Sequence, residues 1–178
     1  SSDTSVATIS GTALTIAGAG NAVITATQSE TTNYNSATVT ASLTVAKDNP
    51  VLSGLVPMTK TFNDEDFSLS ATSSSTGAIS YSSSDTSVAT ISGTTVTIVG
   101  SGSTVITASQ ASDSNYNSAT VTASLTVVKD NPIIELSDVN KTFNDADFSL
   151  SATSSSTGAI SYSSSDTSVA TISGTTVT

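Results

Sequence analysis

A nine-residue string, Ser1-Ser2-Asp3-Thr4-Ser5-Val6-Ala7-Thr8-Ile9, returns unchanged at 83–91 and again at 164–172, so the chain repeats with offsets of 82 and then 81 residues. A period of this length makes each copy a small structural unit joined to the next, rather than a part of one large core. The match is closest between 66–97 and 147–178, which are identical over 32 residues. Copies this alike have had little room to acquire separate sites, so whatever one unit does is expected to be done repeatedly. The one-residue difference in offset lies where 50–62 holds 13 residues and 132–143 holds 12.

Each of those segments opens at the string Lys-Asp-Asn-Pro, residues 47–50 and 129–132. It is the natural boundary, because proline fixes its own φ and biases the residue before it toward extended conformations. The chain then divides into the back part of one repeat (1–49), a complete repeat (50–131) and the front part of a third (132–178). Residues 1–15 correspond to 164–178. The sequence is therefore expected to be a stretch of a longer array, with any export signal outside it.

Inside the complete repeat apolar residues recur with period two, the spacing of half-buried strands, and helical spacing is absent. The pattern predicts strands at 51–56 with 59–62 (A and A′), 67–72 (B), 78–82 (C), 87–92 (D), 94–99 (E), 104–109 (F) and 119–128 (G). Clusters of Ser, Gly, Asn and Asp at 73–77, 92–93, 100–102 and 111–118 supply the turns. Seven strands in about 80 residues predict an all-β chain of tandem immunoglobulin-like β-sandwiches, one complete and two partial. The complete unit has only Phe62, Phe67, Tyr81 and Tyr116 as aromatics, so its core must rest on Val, Ile, Leu and Ala.

Composition narrows the chemistry. With 38 Ser and 33 Thr among 178 residues, the chain has no His, Cys, Trp or Arg. Thiol and imidazole catalysis, Cys/His zinc sites and arginine clamps on phosphate are thereby excluded, and no enzyme is expected. A net charge of -10 repels nucleic acid. No stretch approaches the ~20 apolar residues of a membrane helix.

Three strings carry a family likeness: Ser83-Ser84-Asp85-Thr86-Ser87-Val88-Ala89-Thr90-Ile91, then Val96-Thr97-Ile98-Val99-Gly100-Ser101-Gly102, then Val105-Ile106-Thr107-Ala108. Together they resemble the bacterial immunoglobulin-like (Big) domain, group 2. Asp113-Ser114-Asn115-Tyr116-Asn117 is similar to the loop before the last strand in many such repeats. The turn glycine often seen before strand E appears here as Ser92-Gly93-Thr94. The likeness spans the complete repeat and both partial ones. It implies tandem stalks of secreted or bacterial cell-surface proteins, such as adhesins and extracellular fibres, without catalytic activity.

Acidic clusters are the one motif with chemical potential. Asp64, Glu65 and Asp66 lie between A′ and B, Asp130 and Asn131 end the repeat as Asp48 and Asn49 end the previous one, and Asp113 and Asn115 lie between F and G. In a seven-stranded topology a junction would gather the A′–B turn of one unit, the linker and the F–G loop of the next. Such hard oxygen ligands suit Ca²⁺ between domains. The competing reading is that these Asp and Asn residues close turns on their own backbone and keep the surface soluble. No EF-hand spacing is present, and Asp145-Ala146-Asp147 lacks the middle acid. Asp85 reads as an Asx turn between C and D.

The expected function is structural: a stalk or filament region whose partners are neighbouring repeats of the same chain, each adding roughly 30–40 Å of reach from strands rising ~3.3 Å per residue. Two alternatives come from other classes. One is a module that binds glycan or protein, for which Tyr116 and its copy Tyr34 are the aromatic candidates. The other is a subunit that self-associates into filaments, residues 132–163 of one chain joining 1–48 of the next to complete a sandwich.

Overall fold

The computed structural model describes residues 1–178, which form eighteen β-strands and no helix. The chain is all-β. It packs as two units, Ser1–Lys129 and Asp130–Thr178.

The first unit opens with two hairpins, β1 (Ala7–Ser10) with β2 (Ala13–Ile16) and β3 (Gly20–Gln28) with β4 (Ala37–Val45). The complete repeat follows as β5 (Leu52–Ser53), β6 (Met58–Thr61), β7 (Phe67–Ser68), β8 (Thr72–Ser73), β9 (Ile79–Ser83), β10 (Ala89–Ser92), β11 (Thr95–Ile98), β12 (Gly102–Gln110) and β13 (Ala119–Val128). One sheet has the order β6-β13-β12-β9, with β6 parallel to β13, and a second has the order β10-β11-β7. Short β5 pairs with β8.

Period two decides which side chains meet between the sheets. Along β12, Thr104, Ile106, Ala108 and Gln110 are buried while Ser103 and Val105 are exposed. Along β13, Ala123, Leu125 and Val127 are buried in the same alternation. Ile106, Leu125 and Val127 close a core with Leu69, Val88, Ala89 and Val96, flanked by Leu55, Met58, Phe67, Tyr81, Ile91 and Ile98. The core is aliphatic, as the sparse aromatics require. Gly93, between β10 and β11, has φ +61, a conformation that favours glycine, and so do its copies Gly11 and Gly174.

Strand B differs from its expected run. It breaks into β7, which pairs with β11, and β8, which pairs with β5. Between them Leu69 stays buried, and the Ala71 N–H donates to the Tyr81 hydroxyl at 2.8 Å. The strand changes partner midway, so a side chain supplies the acceptor that a ladder otherwise would. Strand A is also shorter than expected, ending before Gly54, whose φ is +94 and where a Cβ would lie 2.7 Å from the Ser70 carbonyl oxygen.

The second unit holds β14 (Ile134–Glu135), β15 (Phe148–Ser149), β16 (Thr153–Ser154), β17 (Ile172–Ser173) and β18 (Thr176–Val177). Their pairings copy those of the complete repeat: Ile134↔Ser154 matches Leu52↔Ser73, and Phe148↔Val177 matches Phe67↔Val96. Residues 160–164 are identical in sequence to β9 but form no strand. Val169 is 81% exposed, where its copy Val88 is 4%. Unit 2 has no counterpart of β12 to pair 160–164 or to cover Val169.

Candidate inter-repeat junction

The F–G loop, residues 111–118, is shaped by Asp113. Its Oδ1 accepts the Asn115 and Tyr116 N–H groups, each at 2.8 Å, and its own N–H donates to the Tyr116 carbonyl at 3.1 Å. Its Oδ2 accepts from Ser75 Oγ at 2.8 Å, Thr76 Oγ1 at 3.2 Å and the Thr76 N–H at 3.3 Å. One carboxylate thus folds the loop and ties it to the turn at 73–77.

So held, the loop lies against the end of the preceding repeat. The Asp48 N–H donates to the Asn115 carbonyl at 2.9 Å and the Asn117 N–H to the Asp48 carbonyl at 2.8 Å, a parallel bridge of Asp48 with Tyr116. Asn117 Nδ2 donates to Asn49 Oδ1 at 2.9 Å, and Lys47 Nζ donates to the Asp113 carbonyl. Farther in, Asn115 Oδ1 accepts the Ala19 N–H at 2.9 Å, in the turn between β2 and β3. At Gly18 a Cβ would sit 2.8 Å from the Ser5 carbonyl oxygen and 2.9 Å from Asn115 Oδ1, so the approach needs glycine.

Of the residues the sequence nominates, Asp48, Asn49, Asp113 and Asn115 meet here. The others are used within their own repeats. Asp64 Oδ2 accepts the Thr61 N–H at 2.8 Å in a turn that passes through Asn63 at φ 73, and Asp66 Oδ2 accepts from Thr97 Oγ1 at 2.9 Å. Glu65 is exposed. Asp130 Oδ1 accepts the Asn131 N–H at 2.8 Å, as Asp48 Oδ1 does for Asn49. No three acidic side chains gather at metal-binding spacing. The A′–B turn that a three-part set would draw on at this junction belongs to the 1–49 repeat, of which the chain carries the back part. Tyr116 is half-buried, while Tyr34 is 75% exposed.

No family model, curated protein or solved structure matches the chain. The chemistry of the junction is therefore read from its own geometry: directional hydrogen bonds, four of them to or from backbone groups of residues 19, 48 and 113, joining one repeat to the next.

Lys47, Gly18, Ala19 and Asn117 were not among the candidates. Lys47 precedes the nominated Asp48, and Asn117 lies in the same Asn-Tyr-Asn string as Asn115, so both were within reach of the sequence. Gly18 and Ala19 become partners only through tertiary approach. Buried Gln110 could have been found as well, since the inward alternation Thr104, Ile106, Ala108 ends on it.

The donors around Asp113, the Ser75 hydroxyl first and then the Asn115 N–H, hold its carboxyl well below the usual carboxylate range. A depressed folded value gives a stabilisation that is present above the unfolded pKa, about 3.9, and is lost as pH falls through the folded value. Asp3, Asp85 and Asp166 are lowered too, each first by the hydroxyl of the serine two residues on, and act with the same sign. Asp113→Asn is accordingly expected to flatten the acid limb of the stability profile below about pH 4 without changing the part that the three Asx turns contribute. Denaturant unfolding of both proteins across that range measures it, and parallel profiles would show that the carboxylate does not matter.

Proposed function

We propose that the chain is a spacer region of a bacterial cell-surface or secreted protein, built from tandem immunoglobulin-like sandwiches that resemble group 2 bacterial immunoglobulin-like domains. The observation that supports this best is the Asn115 contact: a loop of one repeat bonds the backbone of the repeat before it at Ala19 and Asp48. A spacer needs reach, and reach depends on the stiffness of each joint. A flexible linker of a few residues would let neighbours swing independently, whereas two points of attachment, the linker and the β2–β3 turn, oppose both bending and twisting. The side chains fit the reading, because a chain without His, Cys or Arg has little means of catalysis and ample hydroxyls for solubility.

The test is rotational. ¹⁵N relaxation on the full chain is expected to give residues 1–49 and 50–129 one common correlation time, and Asn115→Ala to separate them, with 1–49 becoming the faster. The substitution removes an exposed side chain and leaves the core of the complete repeat untouched, so its melting temperature should move by no more than a few degrees. Independent tumbling of the two parts in the unaltered protein would overturn the spacer reading.

A further inference from the structure

The β3–β4 hairpin keeps the register of β12–β13 pair for pair, from Gly20↔Val45 to Gln28↔Ala37 against Gly102↔Val127 to Gln110↔Ala119. What is buried in one is open in the other. Ile106 and Leu125 are 0% exposed and Gln110 2%, whereas Ile24 and Leu43 are half-buried and Ala26 and Gln28 are exposed. In the complete repeat two strands cover what the hairpin leaves open: β9 pairs with Ile106–Gln110 and β6 with Leu125–Val128. A shallow depression of about 280 Å³ lined by Ser2, Ala22, Val23, Leu43 and Thr44 lies on the uncovered hairpin.

The missing cover is present elsewhere in the chain. Residues 147–163 repeat 66–82 without a change and are already folded for the task. The Ala152 N–H donates to the Tyr162 hydroxyl at 2.9 Å, as Ala71 does to Tyr81 at 2.8 Å. Ser156 N–H bonds Ser154 Oγ at 3.0 Å and Gly158 N–H bonds Ser156 Oγ at 3.2 Å, the same turn that surrounds Gln110 in the complete repeat. There Gln110 Nε2 donates to the Ser75 and Gly77 carbonyls and Oε1 accepts from Ser73 Oγ.

We propose that residues 132–163 of one copy of this chain cover the β3–β4 hairpin of a second copy, completing a repeat between chains. The register follows from the intact unit, where Ala108 faces Tyr81 and Gln110 faces Ile79, so that Ala26 lies opposite Tyr162 and Gln28 opposite Ile160. Gln28 takes the polar groups of Ser154, Ser156 and Gly158. The receiving chain keeps its own β1–β2 hairpin, in which Val6 is 3% and Ala7 0% exposed. Phe148 of the donor exchanges Val177 for Leu14, a like-for-like pairing that releases β17–β18. Each chain offers one donor and one acceptor on different surfaces, a heterologous contact that propagates head to tail.

Sedimentation velocity of the 178-residue chain over a wide concentration range reads this directly. Mass is expected to grow with concentration, and Gln28→Glu is expected to weaken the association by about 100-fold or more, because a carboxylate would be buried against the two carbonyl oxygens that Gln28 serves as donor. Gln28 is exposed in the free chain, so the variant should fold as well as its parent. Thr25→Cys with Ser163→Cys, which correspond to the facing pair Thr107 and Ser82, should form disulfide-linked multimers on oxidation. A monomer at every concentration, equal association of the Gln28→Glu chain, or a disulfide closed within one monomer would each overturn the proposal. The relaxation experiment on the Asn115 joint is unaffected by any of these results, so the two readings stand or fall separately.

Discussion

Leu125→Ala is expected to cost the complete repeat about 3 kcal/mol, within the 2–5 kcal/mol range of buried Leu→Ala changes, while Leu43→Ala in a dilute, unassociated chain costs well under about 1 kcal/mol. The comparison is sharp because Ala37–Val45 and residues 119–127 have the same sequence and the same pairing with the strand before them. Propensity, turn and hairpin are constant. What differs is cover: Leu125 is fully buried in the core with Ile106, Val96 and Leu69, whereas Leu43 is half-exposed on a hairpin that nothing overlies. Removing the Leu125 side chain leaves a void that a thin aliphatic core has few large neighbours to fill. Hydrogen exchange of the β12–β13 amides localises the loss to the complete repeat. Equal costs at the two positions would mean that hairpin stability, rather than packing between sheets, holds these units together.

The same contrast explains how much of the fold was legible. Period-two runs located every strand of the complete repeat within a few residues, because alternation records which side of a strand faces the core. Turn chemistry was equally direct: Asp85 Oδ1 accepts the Ser87 N–H at 2.9 Å and its hydroxyl at 2.6 Å, the Asx turn that the sequence suggests. The break in strand B was not legible. Alternation reports a buried face but is silent on which strand lies alongside, so a segment that passes from β11 to β5 reads as one run. Nor can local sequence tell β9 from its identical copy at 160–164, since the difference is the presence of β12.

At the junction the sequence indicated that linker and F–G loop belong together, and mistook the kind of contact it should look for. Clustered oxygen atoms suggest a cation when counted by residue type. In the structure both Asp113 oxygens are occupied by donors of its own repeat, and the group that reaches across is the neutral amide of Asn115. Which of two neighbouring polar residues points inward and which points across depends on the loop's fold. That fold depends in turn on the serine and threonine at 75 and 76, nearly forty residues away in the chain.

The turn that carries those two residues is also where the core and the junction meet, and Gln110→Leu tests the connection. Gln110 is 2% exposed; its Nε2 lies 3.2 Å from the Ser75 carbonyl oxygen, 3.1 Å from Ser75 Oγ and 3.0 Å from the Gly77 carbonyl oxygen. Its Oε1 accepts from Ser73 Oγ. Leucine fills similar space but leaves two carbonyls without this donor and a hydroxyl without its acceptor, with an expected loss of about 2–4 kcal/mol. For a domain of this size that is roughly 10–20 °C in melting temperature. Gln28→Leu, at the exposed equivalent, should change neither by a measurable amount in the dilute chain. The loss at Gln110 should not stay local. The turn it anchors presents the Ser75 and Thr76 groups to Asp113, and Asp113 sets the loop that presents Asn115 to the previous repeat. Gln110→Leu is therefore expected to reproduce, at temperatures where the repeat is still folded, the separated correlation times predicted for Asn115→Ala. If the variant melts early yet residues 1–49 and 50–129 still tumble together, the joint is independent of the core, and stiffness in such an array could change without any cost to the stability of its units.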